Sequence, residues 1–492
     1  MNIFSIVTVV VLITATISIG LYGLHFSRAT SDFFVASKSA STFANASAMS
    51  GEYLSAASFL GIAGLVMLYG IDMLWYPVGF TAGFLVLLLF VAAPLRRSGA
   101  YTLPDFAETR MESRAVRRLS SALVVLIGWL YLLPQMQAAG LTLHLMTGAS
   151  TASGGLIVAL VVGLTVAGGG TRSISLVQTF QYWIKLVAIA IPTVLVAWAW
   201  SDAGHPRLST AAWSEPLTAS TGHAYPLYAN VAVVTATFLG TMGLPHVLVR
   251  FYAIKDGRTA RRTTLLAIAL IGGFFLFPPA IGALGRYYAP ELLTHGNVDT
   301  VALMLPERAF PGALGQVLGA LVAAGAFAAF MATASGLVLS IAGVMSQDLL
   351  QKRMGAITGF RTGAALALIV PLAVLPYVVR HHLAEMVVMA FAVAASTFCP
   401  LLVLGIWWKR LSTAGAIAGL LIGGISSLTC VAAALFIPTS GLMHTLLAQP
   451  AAWTAPLAFL SMIVVSLLTP DHVPAHASIT LGRLHTPEKF VA

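Results

Sequence analysis

The sequence predicts an all-α polytopic membrane protein of about thirteen transmembrane helices, arranged as an inverted repeat of two five-helix units with broken first helices. Three observations carry this. Apolar residues make up 58% of the 492 and charged residues 9%, with mean hydropathy +0.91, which excludes a soluble globular protein of this length. Apolar runs of about 20 residues recur along the whole chain, enough for a bilayer span each. Two of these runs, at 49–61 and 240–250, are interrupted by small, polar or helix-breaking residues, and each is followed by four more runs.

In order, residues 1–42 comprise a retained first span at 3–24 and a linker, HFSRATSDFFVASKSAST. No basic stretch precedes the apolar run and no small-residue cleavage site follows it, so it does not read as a signal peptide. The first repeat covers 43–200. Its first span contains MSGEYLSAASFLG, where Ser50, Gly51, Ser55 and Ser58 are poor helix formers and Glu52 is ionisable at bilayer depth. Unwound backbone is tolerated there only beside protein or a watery cavity; freed carbonyls can hold a cation and half-helix N-termini an anion. Between the second and third spans of this unit, residues 96–117 read as short surface helices and turns. Further on, YLLPQMQAAG carries Tyr131, Pro134, Gln135 and Gln137, polar groups that must avoid lipid, with Pro134 marking a kink. GGGTRSISLVQTFQ at 168–181 reads as a tight turn into a polar helix start. Lys185, about three turns into the next span, either snorkels or pairs, or is a titratable cation near a coupling site.

An external loop at 201–226 precedes the second repeat, 227–408. This unit opens on GTMGLPHVLVR, whose Gly240, Gly243 and Pro245 should break the helix. The span 313–347 carries Thr333, Ser335 and Ser340 among glycines and alanines, and 384–408 holds Ser396, Thr397 and Pro400. Two further spans fill 409–470, and 471–492 is a tail whose His472, His476 and His485 lack metal-ligand spacing. Cys399 and Cys430 read as small core residues.

The net charge of +10 does not indicate a nucleic-acid partner. Arg96, Arg97, Arg110, Arg114, Arg117 and Arg118 fall in one loop, and Arg250, Lys255, Arg258, Arg261 and Arg262 in another on the same side. Only Arg207, Arg286, Arg308 and Arg380 fall opposite if spans alternate. The positive-inside rule then places the N-terminus outside and the C-terminus in the cytoplasm. No nucleophile–base pair or metal motif suggests an enzyme.

Long strings in this chain resemble the sodium:solute symporters, and within them the bacterial cation/acetate symporter (acetate permease) branch. They are DFFVASK, GEYLSAASFLG, YLLPQMQAAG, GTMGLPHVLVRFY, SQDLL and FAVAASTFCPLLVLGIWWKRLSTAGAIAG, spread over about residues 32–430. The resemblance implies a LeuT-like fold and a sodium site built from carbonyls of the first broken helix and hydroxyls of the eighth core helix. Carried over, the carbonyls belong to Gly51, Leu54 and Ala329, and the hydroxyl positions fall on Ala332 and Thr333. Ala332 has no hydroxyl, so the cage lacks one ligand and the coupling ion is either Na+ or H+. Glu52 stands where the branch carries an acid, as cation ligand, proton carrier or packed acid bonded across the break; Lys185 is the rival proton carrier.

The expected function is uptake of acetate or a related short-chain monocarboxylate, with no cofactor, in a bacterial inner membrane. Half-helix N-termini around Ser55, Ser58, Gly243, Leu244 and His246 would receive the carboxylate, with Tyr131, Gln135, Ser396 and Thr397 as further contacts. The alternatives are a symporter for proline or a sugar, and a carboxylate sensor, for which the short tail offers no signalling domain. Partners would be the anion, a monovalent cation, membrane lipid and, by resemblance, a small membrane protein.

Overall fold

The structure is a computed structural model that describes residues 3–24, 41–208, 211–217, 225–295, 297–350, 354–378 and 381–490. The linker string DFFVASK and the charges Arg28, Lys38, Lys352, Arg353 and Arg380 lie outside the described residues. Apart from turns and connections, every described segment is helical. Among the described residues, 12 helices are long and apolar enough to cross a membrane, or 13 when one bent pair is counted as a span.

A peripheral helix α1 (Ile3–Leu24) precedes the bent pair α2 (Thr42–Tyr53) and α3 (Ala57–Tyr69), which meet at 72°. Then come α4 (Ile71–Arg97), the short α5 (Leu103–Met111), α6 (Arg114–Thr147) and α7 (Thr151–Asp202). The second unit opens with α8 (Pro226–Gly243) and α9 (Pro245–Tyr252), followed by α10 (Gly257–Tyr288) and the connecting α11 (Val301–Ala309). It closes with α12 (Ala313–Val344), α13 (Ala356–Val378) and α14 (Leu383–Trp407). Helices α15 (Thr413–Phe436) and α16 (Ala451–Leu468) pair with each other against α14, and α17 (Ala477–His485) ends the fold.

The two units pack by the same scheme. The opening helix of each lies against the last: α2 on α7, and α8 on α14. The second helix of each lies against the opening helix of the other: α4 on α8, and α10 on α2 and α3. The third helices, α6 and α12, meet between them. This reciprocity is what an inverted repeat produces, and it brings both interrupted helices to the centre.

One expectation fails in the first unit. Residues 168–181 do not form a turn; helical hydrogen bonding runs through all 52 residues of α7, which contains the spans Thr151–Gly168 and Ser173–Asp202. Glycine lowers helix propensity without forbidding helical φ and ψ, and no proline interrupts the run at that point. A second correction concerns Arg110, expected on a solvated loop. It is buried, and its Nε and Nη2 donate to the carbonyls of Gly405 (2.7 Å) and Trp408 (3.1 Å) at the end of α14. The orphan carbonyls of a helix C-terminus and the negative end of its dipole account for that placement. Arg117 sits in a network instead, bonding Asp348 (2.6 Å), Glu108 (2.6 Å) and Asp105 (2.8 Å), so that α5, α6 and the end of the α12 span are tied together.

At the opposite end of α14, His382 precedes the helix with Nδ1 3.7 Å from Asp299, whose Oδ2 also accepts from Leu383 N at 3.1 Å. The Asp299 carboxylate beside it pushes the imidazole up to about 9, opposed by burial and helped by the charge of Glu385. The raised value means that this contact stabilises fully below the ordinary histidine range near 6.5 and is lost as pH rises through about 9. Thermal unfolding in detergent should therefore fall between pH 7 and pH 10 by an amount equivalent to about 1–3 kcal/mol more than in His382→Gln. Parallel pH curves for the two proteins would exclude the contact.

Candidate functional site

Helix α2 is started by Ser41, whose side chain accepts from Ala44 N at 3.1 Å. It stops at Leu54, which is extended (φ −74°, ψ 94°), and the chain resumes through a wide turn at Ala57–Gly61 in which Ile62 N bonds Ala57 O. A break of this kind leaves carbonyls behind it and amides ahead of it without helical partners, deep inside the protein. Side chains supply them. Lys185 Nζ donates to Gly51 O and Leu54 O, both at 2.6 Å, and Thr333 Oγ1 donates to Glu52 O at 2.7 Å. Ahead of the break, Ala56 N donates to Gln135 Oε1 at 2.9 Å.

Glu52 points from the same break towards the second broken helix. Its carboxylate receives Arg250 Nε at 2.7 Å, with both side chains buried. Arg250 is tied further by Nη1 to Ser175 Oγ (2.5 Å) and by Nη2 to Gln178 Oε1, while Gln178 Nε2 donates to Ala332 O (2.9 Å). The carboxylate has room because position 336 is glycine: a Cβ there would lie 1.9 Å from Glu52 Oε1. One ionic network thus joins α2, α7, α9 and α12. Arg250 was expected in a cytoplasmic loop with Lys255 and its neighbours. Its spacing from His246, four residues along a helix flanked by Val247, Leu248 and Val249, is the signal that sequence reading passed over.

The second break lies at Leu244, extended at φ −76° and ψ 112° as a residue before proline must be, and Pro245 starts α9 where its missing N–H costs nothing. Gly243 lets α14 approach, since a Cβ there would be 2.4 Å from Ala394 O. The two breaks are bridged by Tyr53, whose hydroxyl donates to Phe80 O (3.0 Å) and shares a hydrogen with Thr241 Oγ1 (2.8 Å). His246, in the first turn of α9, is 1% exposed, and neither ring nitrogen has a hydrogen-bond partner among the described residues. Its ring meets Tyr131 edge-on at 5.3 Å, and Tyr131 meets Phe391 at 5.7 Å.

Of the expected site residues, the structure gathers Gly51, Glu52, Leu54, Ser55, Tyr131, Gln135, Lys185, Gly243, Leu244, His246 and Thr333 around the two breaks. Ser58 is buried in the wide turn after the first break, and Ala329 is buried one turn before Thr333 on α12. Ser396 and Thr397 turn away. Ser396 Oγ shares a hydrogen with Thr454 Oγ1 of α16 at 2.7 Å, and the Thr397 methyl lies opposite Gly424 of α15. Both hydroxyls also bond their own helix, to Ala392 O and Val393 O, so they serve the packing of the added C-terminal helices. Gln178 and Tyr53 join Arg250 as residues that the sequence did not single out.

Such a centre presents His246 and the N-terminus of a half-helix to a small anion, with the Lys185 amine on the carbonyls of the first break. Among the described residues no group of three or more His, Cys, Asp or Glu is placed to hold a metal ion. The model of the sodium:solute symporter family matches residues 33–423. An uncharacterized symporter, YwcA, of Bacillus subtilis is 30% identical, covering 96% of this chain and 95% of that protein. A monocarboxylic acid transporter of Corynebacterium glutamicum is 29% identical, covering 87% and 82%. Among solved structures, a Na+-coupled sialic acid symporter superposes with TM-score 0.73 at 14% identity over 95% of this chain and 97% of that one. Mhp1, a nucleobase-cation-symport-1 family transporter, gives 0.59 at 15% identity over 91% and 97%. These last two share the LeuT-like fold.

Arg250→Gln should leave the Glu52 carboxylate buried without its counter-charge and cost about 3–5 kcal/mol of stability. The double variant Glu52→Gln/Arg250→Gln should recover much of that loss. A double-mutant cycle from unfolding curves in detergent measures both, and additive losses would mean the two side chains do not interact.

Proposed function

Because the chain belongs to the sodium:solute symporter family, we propose that it takes up a small monocarboxylate such as acetate, propionate or pyruvate. A monovalent cation, Na+ or H+, enters with it. The observation that carries the anion reading is His246: a buried imidazole whose two nitrogens have no partner among the described residues, at the N-terminus of a half-helix and facing Tyr131. An imidazole N–H and the amides of an opening helix turn suit one carboxylate without a dedicated arginine. The aromatic wall of Tyr131 and Phe391 suits a short apolar tail. The monocarboxylic acid transporter among its relatives supports the same substrate class.

A sugar would need several side-chain hydroxyls or amides converging on it, and Ser396 and Thr397 face the C-terminal helices instead. The distribution of basic residues supports an outside N-terminus and a cytoplasmic C-terminus in a bacterial inner membrane. Transport follows from rocking the bundle of broken helices against the remaining helices, with the cation ordering the break and thereby raising anion affinity by linkage.

Uptake of labelled pyruvate into proteoliposomes tests the reading, with protein-free vesicles as the baseline for passive entry of the undissociated acid. His246→Phe keeps the ring contact with Tyr131 and removes the donor, and should raise the half-saturation concentration roughly tenfold or more, as expected for one charge-assisted hydrogen bond. An unchanged saturation curve would remove His246 from the anion site.

A further inference from the structure

We propose that a cavity between α5 and α17 binds the phosphate group of an anionic membrane lipid, in the leaflet on the side of the C-terminus. The inference rests on the helices that span a membrane and not on the identity of the transported solute. The cavity measures about 110 Å³, room for a single phosphate group. Two guanidiniums, of Arg110 and Arg483, and two hydroxyls, of Thr109 and Thr480, line it, with Ile479 on its wall.

The two guanidiniums meet there without an acid of their own. Arg110 is buried on α5; its Nε and Nη2 go to the carbonyls of Gly405 and Trp408, and its Nη1 has no partner among the described residues. Arg483 is exposed on α17, with Nη2 2.9 Å from where a Cβ would stand on Gly99, so it reaches over the turn that follows α4. The acids nearby are taken. Glu112 meets His476 at 3.2 Å, Glu488 meets Arg97 at 3.5 Å, and Asp105 and Glu108 both meet Arg117. Among the described residues no carboxylate pairs with Arg110 or Arg483. A buried cation without a counter-charge is costly, and a phosphate supplies both the charge and the paired acceptors that suit a guanidinium fork.

The surroundings point to a lipid as the source of that phosphate. Ile479 is 72% exposed beside the cavity, and Tyr101, Trp407 and Phe490 are exposed at the same end of the molecule. Trp407 marks the depth. Its Nε1 donates to Phe90 O at 3.0 Å, beside the outward-facing Leu89 and Phe90 of α4, and its ring lies 4.6 Å from that of His485 at the end of α17. The tail helix therefore lies where the apolar spans end, among the aromatic side chains that mark the level of the headgroups. A basic pocket between helices at that level suits a lipid phosphate, with Ile479 turned to the glycerol and acyl chains. Once bound, the phosphate joins α5 to α17 and, through Arg110, both to the end of α14.

Native mass spectrometry of the purified protein tests the proposal, in detergent with equal amounts of dioleoyl phosphatidylglycerol and dioleoyl phosphatidylcholine. The wild type should retain phosphatidylglycerol in preference, and Arg483→Gln should lower that retention at least ~5-fold. Thr480→Phe fills the cavity without changing the charge and should do the same. Arg258→Gln removes an exposed charge from the same end of the molecule, outside the cavity, and should leave retention as it is. Equal retention of the two lipids would overturn the site. So would full retention in Thr480→Phe, or equal losses in Arg258→Gln and Arg483→Gln, which is the behaviour of diffuse attraction to a basic face. The remaining arm adds inorganic phosphate alone and follows thermal unfolding. Stabilisation of the wild type but not of Arg483→Gln, without any preference between the lipids, would overturn the lipid source in favour of a free phosphate.

Discussion

An interrupted helix inside a membrane protein leaves peptide groups that neither lipid nor a helical ladder can satisfy, and the centre of this protein is arranged around that debt at residues 51–56. Each unpaired carbonyl or amide costs several kcal/mol in such surroundings unless it finds a partner. Lys185 and Thr333 answer the carbonyls of Gly51, Glu52 and Leu54, and Gln135 answers the amide of Ala56. These partners come from α7, α12 and α6, so the break is a junction of four helices. A change in any one of those side chains is felt at the backbone of α2.

The ion pair between Glu52 and Arg250 follows from the same geometry. Glu52 leaves the helix at the last turn before the break, where Gly336 gives its carboxylate space against α12. Arg250 ends α9, the short half-helix that Pro245 begins. The pair therefore connects one half of each broken helix, and its burial makes separation costly. Rocking motions that keep α2 and α9 together cost little, whereas motions that part them must first neutralise one partner. The network favours movement of the two half-helices as one body.

Much of this was legible in the sequence because it rests on local chemistry. Leu244 is extended because Pro245 follows it, and the run of Ser50, Gly51 and Ser55 weakens a helix wherever it occurs. The cage carbonyls and Lys185 were each marked, but only the fold brings position 185 onto positions 51 and 54. Arg250 was misplaced because it adjoins a basic loop, although its phase relative to His246 belongs to a buried face. Ser396 and Thr397 were unreadable for a different reason. A polar pair at mid-helix can face any neighbour, and which side meets the added helices α15 and α16 is decided by packing that periodicity does not encode. The glycines at 168–170 allowed a turn without requiring one.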